Sequence, residues 1–251
     1  MTIDHAEELL IPKREPSSLM LRLPSRCQFL NDNGGQVKIA IFYHCVLSGP
    51  RIPSEDYAVV LLQSQMNALN DSGLSDAADE IHLGINDNNG SAILLCAFAP
   101  GKSILKIHVD GQSELATLLD LQAWLKPGWF VMYHHMKGVC YPGNPVWERW
   151  RQCMEKVCVW NWEECVDALA KGYDTVGAHW LTHNKYSMVH RSHRYWGGNF
   201  WWARSDYLMT LPPLPPDSHA ARYDAEVWIG SGKQNPSVLD FAPHWPMSCP
   251  A

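Results

Sequence analysis

The chain has 251 residues, 18% of them charged, and a formal net charge of −6. That length suits one α/β domain burying roughly 70% of its unfolded surface, and the acidic balance argues against a nucleic-acid polymer as a general partner, because phosphate binding shows as a basic excess. No apolar run reaches the roughly eighteen residues of a membrane span, and the N-terminus lacks a signal-peptide pattern. A soluble, cytoplasmic protein is expected, with a peripheral membrane contact left open.

Residues 1–36 carry Pro12, Pro16, Pro24 and an Asn-Asp-Asn-Gly-Gly turn without sustained periodicity, and read as an extension wrapping the domain. Residues 37–46 are β-rich and almost uninterrupted, as a parallel strand buried on both faces should be. Val59, Leu62, Met66 and Leu69 recur at helical spacing over 57–69, and Asn70-Asp71-Ser72-Gly73 ends that helix. Strands follow at 80–85, 102–109 and 129–134, with a helix over 113–124 between the last two.

Asn144-Pro145 starts a helix whose face of Trp147, Trp150, Met154 and Val157 is expected to be core. Asn161 with Glu164 forms a capping-box-like start to the next helix, which Lys171-Gly172 closes before a strand over 175–181. Strands alternating with helices predict a mainly parallel, Rossmann-like sheet flanked by helices in one domain over 37–231, followed by a tail at 232–251. The eight cysteines form no framework and read as reduced structural thiols, with Cys153, Cys158 and Cys165 in the core.

In such sheets ligands gather at the carboxyl ends of strands, so the loops after Val46, Ile85, Val109, Tyr133 and Leu181 are where chemistry should lie. The fourth strand runs into His134, His135 and Lys137, which could clamp a diphosphate or could be a satisfied structural pair. His183, Lys185, His190, Arg191, His193 and Arg194 form the one basic cluster of an acidic chain, suited to an anionic donor or simply solvated. His190 and His193 have no further ligand at a zinc spacing.

Gly197 and Gly198 let backbone approach a ligand, and Asn199, Trp201 and Trp202 can hydrogen-bond and stack on a sugar ring. With twelve tryptophans in the chain some should face ligand, although packing is the commoner role for each. Asp224-Ala225-Glu226 is the only pair of acids one residue apart. Either or both could bind Mn2+ or Mg2+, or Glu226 could be the base that deprotonates an acceptor hydroxyl, which is the preferred reading. No metal is assigned.

The segments GGNFWWARSDYLMTLP (197–212), RYDAEVWIG (222–230), YHHMKG (133–138), IAIFYHCVL (39–47) and LNDSGLSDAADEIHLGIN (69–86) resemble a group of glycosyltransferase-like proteins of the GT-A fold. The resemblance spans about residues 37–230. It implies a UDP- or GDP-linked sugar donor, with His44 and Asp110 near the nucleoside and Gly197, Gly198, Asn199, Trp201 and Trp202 along the sugar and its glycan acceptor. Glu226 would be the base, and a single base suits an inverting course.

The chain departs from that group's pattern where an Asp-x-Asp is expected after the fourth strand and His135-Met136-Lys137 stands instead. Lys137 with Arg191 or Arg194 can neutralise a diphosphate in place of an ion. Two rivals remain: a non-catalytic carbohydrate-binding protein on the same fold, and a nucleotidyltransferase, whose Gly-rich, Lys-containing loop is not found near residue 46.

Overall fold

The computed structural model describes residues 37–87, 90, 99–108, 113–181, 194–216, 222–232 and 235–243. Strand β1 (Lys38–Val46) sends Ile39, Ile41, Tyr43 and Cys45 to one face and Ala40, Phe42 and His44 to the other, all buried. The run is nearly uninterrupted for that reason, since a strand covered on both faces has no solvent side to mark. Strands β2 (Glu80–Asn86) and β4 (Trp129–His135) flank it in parallel, and β3 (Ser103–His108) lies beyond β2.

Past β4, β8 (Trp201–Arg204) runs antiparallel to both β4 and β5 (Thr175–Gly177), and β9 (Val238–Asp240) pairs parallel with β5. The order is β3-β2-β1-β4-β8-β5-β9. Strands β6 (Trp180–Leu181) and β7 (Tyr195–Trp196) form a separate antiparallel pair. This is the expected mainly parallel sheet flanked by helices in a single domain.

Helix α1 (Glu55–Asp71) begins where the Ser54 hydroxyl accepts the Tyr57 N–H at 3.1 Å, and it ends at Ser72 and Gly73, the glycine at φ +75. A four-residue turn, α2 (Leu74–Ala77), follows. With α4 (Pro145–Glu155) and α5 (Trp162–Ala170), α1 covers a core containing Ile41, Met66, Met154 and Trp202. On the opposite face α3 (Leu115–Trp124), α6 (Ser205–Leu208) and α7 (Arg222–Val227) cover Phe42, Leu118, Trp201 and Trp228. Helix α3 sits close because β2 offers Gly84, where a Cβ would lie 2.1 Å from Thr117 Oγ1.

Four local expectations are corrected. Asn161 makes no side-chain cap; its N–H closes a π-helical segment, Lys156–Trp160, by donating to the Lys156 carbonyl at 3.0 Å. Within that wide turn the Cys158 carbonyl accepts Trp202 Nε1 at 2.8 Å. The strand expected over 175–181 is split at His179, whose φ is 69. There the Asp240 carboxylate accepts the His179 and Trp180 N–H groups at 2.9 and 2.8 Å, a turn set by a residue sixty positions away. Residues 238–240, inside the segment read as a tail, supply the last strand, too short for its periodicity to show. Finally, Met154 and Val157 are core, but Trp147 and Trp150 on the same helix are only half-buried.

Cys153, Cys158 and Cys165 are buried free thiols, as expected. A buried indole needs an acceptor for its N–H: Trp196 donates to Thr175 Oγ1 at 2.8 Å, and that hydroxyl donates onward to the Trp202 carbonyl at 2.8 Å. Thr175→Val keeps the shape but strands the Trp196 donor. A loss of about 1–3 kcal/mol is expected in urea denaturation; a variant as stable as the wild type would show the relay to be dispensable.

Candidate functional site

At the carboxyl ends of β1 and β4, on the α3 side of the sheet, His44 and His135 stand opposite each other in register. His44 is 2% exposed and its Nδ1 lies 2.8 Å from Thr117 Oγ1. The turn after β7 closes on them. Gly197 N–H donates to the His179 carbonyl, Asn199 N–H donates to the Trp196 carbonyl, and Gly198 and Asn199 adopt φ +90 and +55. Gly198 is needed here for its φ and because a Cβ would meet Met154 Sδ at 2.5 Å, while one on Gly197 would press on Leu181 at 3.0 Å.

Asn199 ties the group together from a left-handed conformation that asparagine tolerates better than most residues. Its Oδ1 accepts Trp201 Nε1 at 2.8 Å, and its Nδ2 donates to the Ala225 carbonyl at 3.3 Å and to Glu114 Oε2 at 3.4 Å. Glu114 also accepts the Tyr133 hydroxyl at 3.5 Å, and the same oxygen lies 3.6 Å from His135 Nδ1. Glu226, half-buried on α7 beside Ala225, acts by its charge on His135. Asp224, also half-buried, begins the same helix.

The sequence-derived candidates do not all meet at this point. Trp201 is buried on the site's side of the sheet, stacked on Tyr133 at 5.3 Å, with its N–H taken by Asn199. Trp202 is buried on the opposite face, as strand alternation requires, and is not brought to the group. His134 also faces away, stacked on Tyr43 at 4.0 Å and 1% exposed. Lys137 stands over the rings of Trp147 and Trp150 at 5.1 and 4.2 Å. Arg194 is exposed just before β7. Asp110 and Arg191, with the rest of the basic cluster from His183 to His193, lie outside the described residues.

Burial sets the electrostatics. It lowers His135 to about 4, Lys137 pushing the same way while the Gly198 hydrogen bond and Glu226 oppose it. It lowers His134 to about 3 and His44 well below the ordinary 6.5, with His135 adding to both. His135 is therefore neutral near pH 7. Its Nε2–H donates to the Gly198 carbonyl at 2.8 Å, leaving Nδ1 as an acceptor. A neutral imidazole carries no charge to set against an anion.

These histidines also fix how stability should respond to acid. Each folded value lies below the ordinary 6.5, so the unfolded chain binds more protons in acid. Their contribution is complete above pH 6.5 and is lost as pH falls toward about 4 and then about 3. The melting temperature should drop by several degrees or more between pH 7 and pH 4. Replacing His134 with Phe should flatten part of that drop, and an unchanged slope would remove His134 from it.

Glu114 joins the site without any local motif to mark it. Its one signal in the sequence is position, at the entrance to a helix following the carboxyl end of the third strand. Among the described residues no group of three or more His, Cys, Asp or Glu side chains could hold a metal ion. Within the site Glu114 with His135 offers two ligands, and Glu114 already accepts from Asn199 and Tyr133. This set does not fit a resident Mn2+ or Mg2+.

A mainly parallel sheet covered by helices on both faces is of the open α/β class. The sequence matches no protein-family profile and no curated protein. Solved structures of similar outline include CMP:2-keto-3-deoxy-manno-octonic acid synthetase complexed with CTP, at 13% identity over 84% of this chain and 93% of its own, TM-score 0.45. Another is Rv0371c of Mycobacterium tuberculosis H37Rv in complex with manganese, at 11% identity over 83% and 90%, TM-score 0.41. A third is 4-diphosphocytidyl-2C-methyl-D-erythritol synthase of Anaerococcus prevotii DSM 20548, at 11% identity over 69% and 72%, TM-score 0.39. Likenesses this distant reach no further than the outline of the fold. No helix among the described residues is long and apolar enough to cross a membrane.

Proposed function

We propose that the protein is a transferase that moves a sugar from a nucleotide-diphosphate donor, UDP- or GDP-linked, to a hydroxyl of a glycan or glycoconjugate. The observation that supports this best is the Asn199 amide, which joins the glycine turn to Glu114 and to the helix bearing Glu226 at the carboxyl ends of β1 and β4. Two carboxylates, a neutral imidazole with a lone pair and close-packed backbone form a setting for a polar ring whose hydroxyls need acceptors.

In the proposed step Glu226 takes the proton of the acceptor hydroxyl as its oxygen bonds to the anomeric carbon. The bond from that carbon to the β-phosphate oxygen breaks, and its electron pair leaves with the nucleoside diphosphate. Lys137 and Arg194, with Arg191, meet the charge that develops. His44 and Asp110 are assigned to the nucleoside, and Gly197, Gly198, Asn199 and Trp201 to the sugar. Attack from the face opposite the leaving group gives inversion.

The test is nucleotide release from a panel of nucleotide sugars, with and without EDTA, in the presence of simple glycosides. Slow release without acceptor, accelerated by one glycoside class and insensitive to EDTA, supports the reading. A strict Mn2+ requirement overturns the role given to Lys137 and Arg194. Pyrophosphate release from CTP and a free sugar acid identifies a nucleotidyltransferase, and glycan binding without turnover identifies a binding protein.

A further inference from the structure

Beside the site the chain presents an aromatic stack that the core does not consume. Tyr141 lies against Trp147 with ring centroids 5.0 Å apart and planes 11° apart, and Trp147 lies against Trp150 at 5.1 Å and 21°. Trp147 and Trp150 are three residues apart on α4 and share a face. The start of that helix is fixed by Asn144, whose side chain accepts the Val146 N–H at 3.0 Å, and Tyr141 is held just before it by donating its N–H to the Gly138 carbonyl at 2.8 Å. The rings are therefore positioned by backbone hydrogen bonds.

Three features separate this stack from ordinary packing. Tyr141 keeps 52% of its surface exposed and Trp147 is half-buried, although the same helix buries Met154 completely. Lys137 holds its ammonium over both indoles, so a charge stands against apolar ring surface. The inner end packs against the site's glycine turn: a Cβ on Gly198 would lie 3.2 Å from Trp150, and the Gly198 carbonyl is the partner of His135.

We propose that Tyr141 and Trp147 form a stacking platform for an oligosaccharide acceptor, engaging sugar units beyond the one that reacts. This deepens the transferase reading and rests on it. A pyranose presents a flat face of C–H groups that stacks on tyrosine and indole, while its edge hydroxyls need polar partners. A ring surface with the Lys137 ammonium set against it supplies both, whereas a lipid chain would leave that charge without solvent. The contact of Trp150 with Gly198 sets the platform beside the turn assigned to the reacting sugar.

The experiment titrates cello-, malto-, chito- and manno-oligosaccharides of two to six units against the wild type, Tyr141→Ala, Tyr141→Phe and Trp147→Ala, following tryptophan fluorescence and nuclear magnetic resonance shifts. One series is expected to bind more tightly as it lengthens. Tyr141→Ala and Trp147→Ala should each raise Kd about tenfold or more, Tyr141→Phe should restore binding, and in the Tyr141 variants melting temperature and nucleoside-diphosphate affinity should not move. Equal affinity in wild type and Tyr141→Ala, binding of no series, or preference for a proline-rich peptide probe overturns the platform. Length-dependent binding without nucleotide-sugar turnover leaves the platform standing and fails the transferase reading; turnover without an effect of Tyr141→Ala does the reverse.

Discussion

A Glu226→Gln variant is expected to transfer sugar about a hundredfold or more slowly than the wild type while binding nucleoside diphosphate normally. Glutamine keeps the size and hydrogen-bonding edge of the side chain but cannot accept a proton. The backbone beneath it should not shift, because the neighbouring Ala225 carbonyl is held by the Asn199 amide at 3.3 Å. Initial rates of nucleotide release at saturating acceptor, beside calorimetric titration with the diphosphate, read the two effects separately. Undiminished turnover would take Glu226 out of the mechanism and pass the proton to Glu114, the other carboxylate the turn gathers; Glu114→Gln would then have to lose activity.

Gly230→Ala is expected to destabilise the protein by about 3 kcal/mol or more, because it drives two backbone segments apart. A Cβ at Gly230 would stand 1.7 Å from the Arg194 carbonyl oxygen and 2.6 Å from its carbon. The segment cannot simply retreat, since the Ile229 carbonyl accepts the Tyr207 hydroxyl at 2.5 Å and Trp228 Nε1 donates to the Pro212 carbonyl at 3.0 Å. Because Glu226 lies one helical turn earlier, activity should fall even where the variant remains folded. Gly101→Ala, which meets nothing within 4 Å, is the matched control and should cost little. Equal denaturation midpoints for Gly230→Ala and the wild type would mean that the β7 edge is free to move.

The strands at 38–46 and 129–135 were legible because burial on both faces leaves a nearly continuous apolar run. The helix at 55–71 was legible because one covered face repeats every turn and a glycine stops it. The π-turn before Asn161, the break at His179 and the strand at 238–240 were not. Each depends on a partner far along the chain, Trp202 for the first and Asp240 for the second. No local pattern encodes such a partner.

The site divides in the same way. Sequence alone marked Gly197, Gly198, Asn199 and the Asp224/Glu226 pair, because rare residue types at close spacing stand out without any fold. It also grouped His134 with His135 and Trp201 with Trp202, whereas adjacent strand residues point to opposite faces and each pair is divided by the sheet. Composition and local spacing thus determined a mainly parallel α/β domain and the residue types available for polar chemistry. Only tertiary structure decided which of them meet, bringing Glu114 in and turning Trp202 away, since hydrogen bonds and close contacts between distant segments exist only once the sheet has placed them side by side.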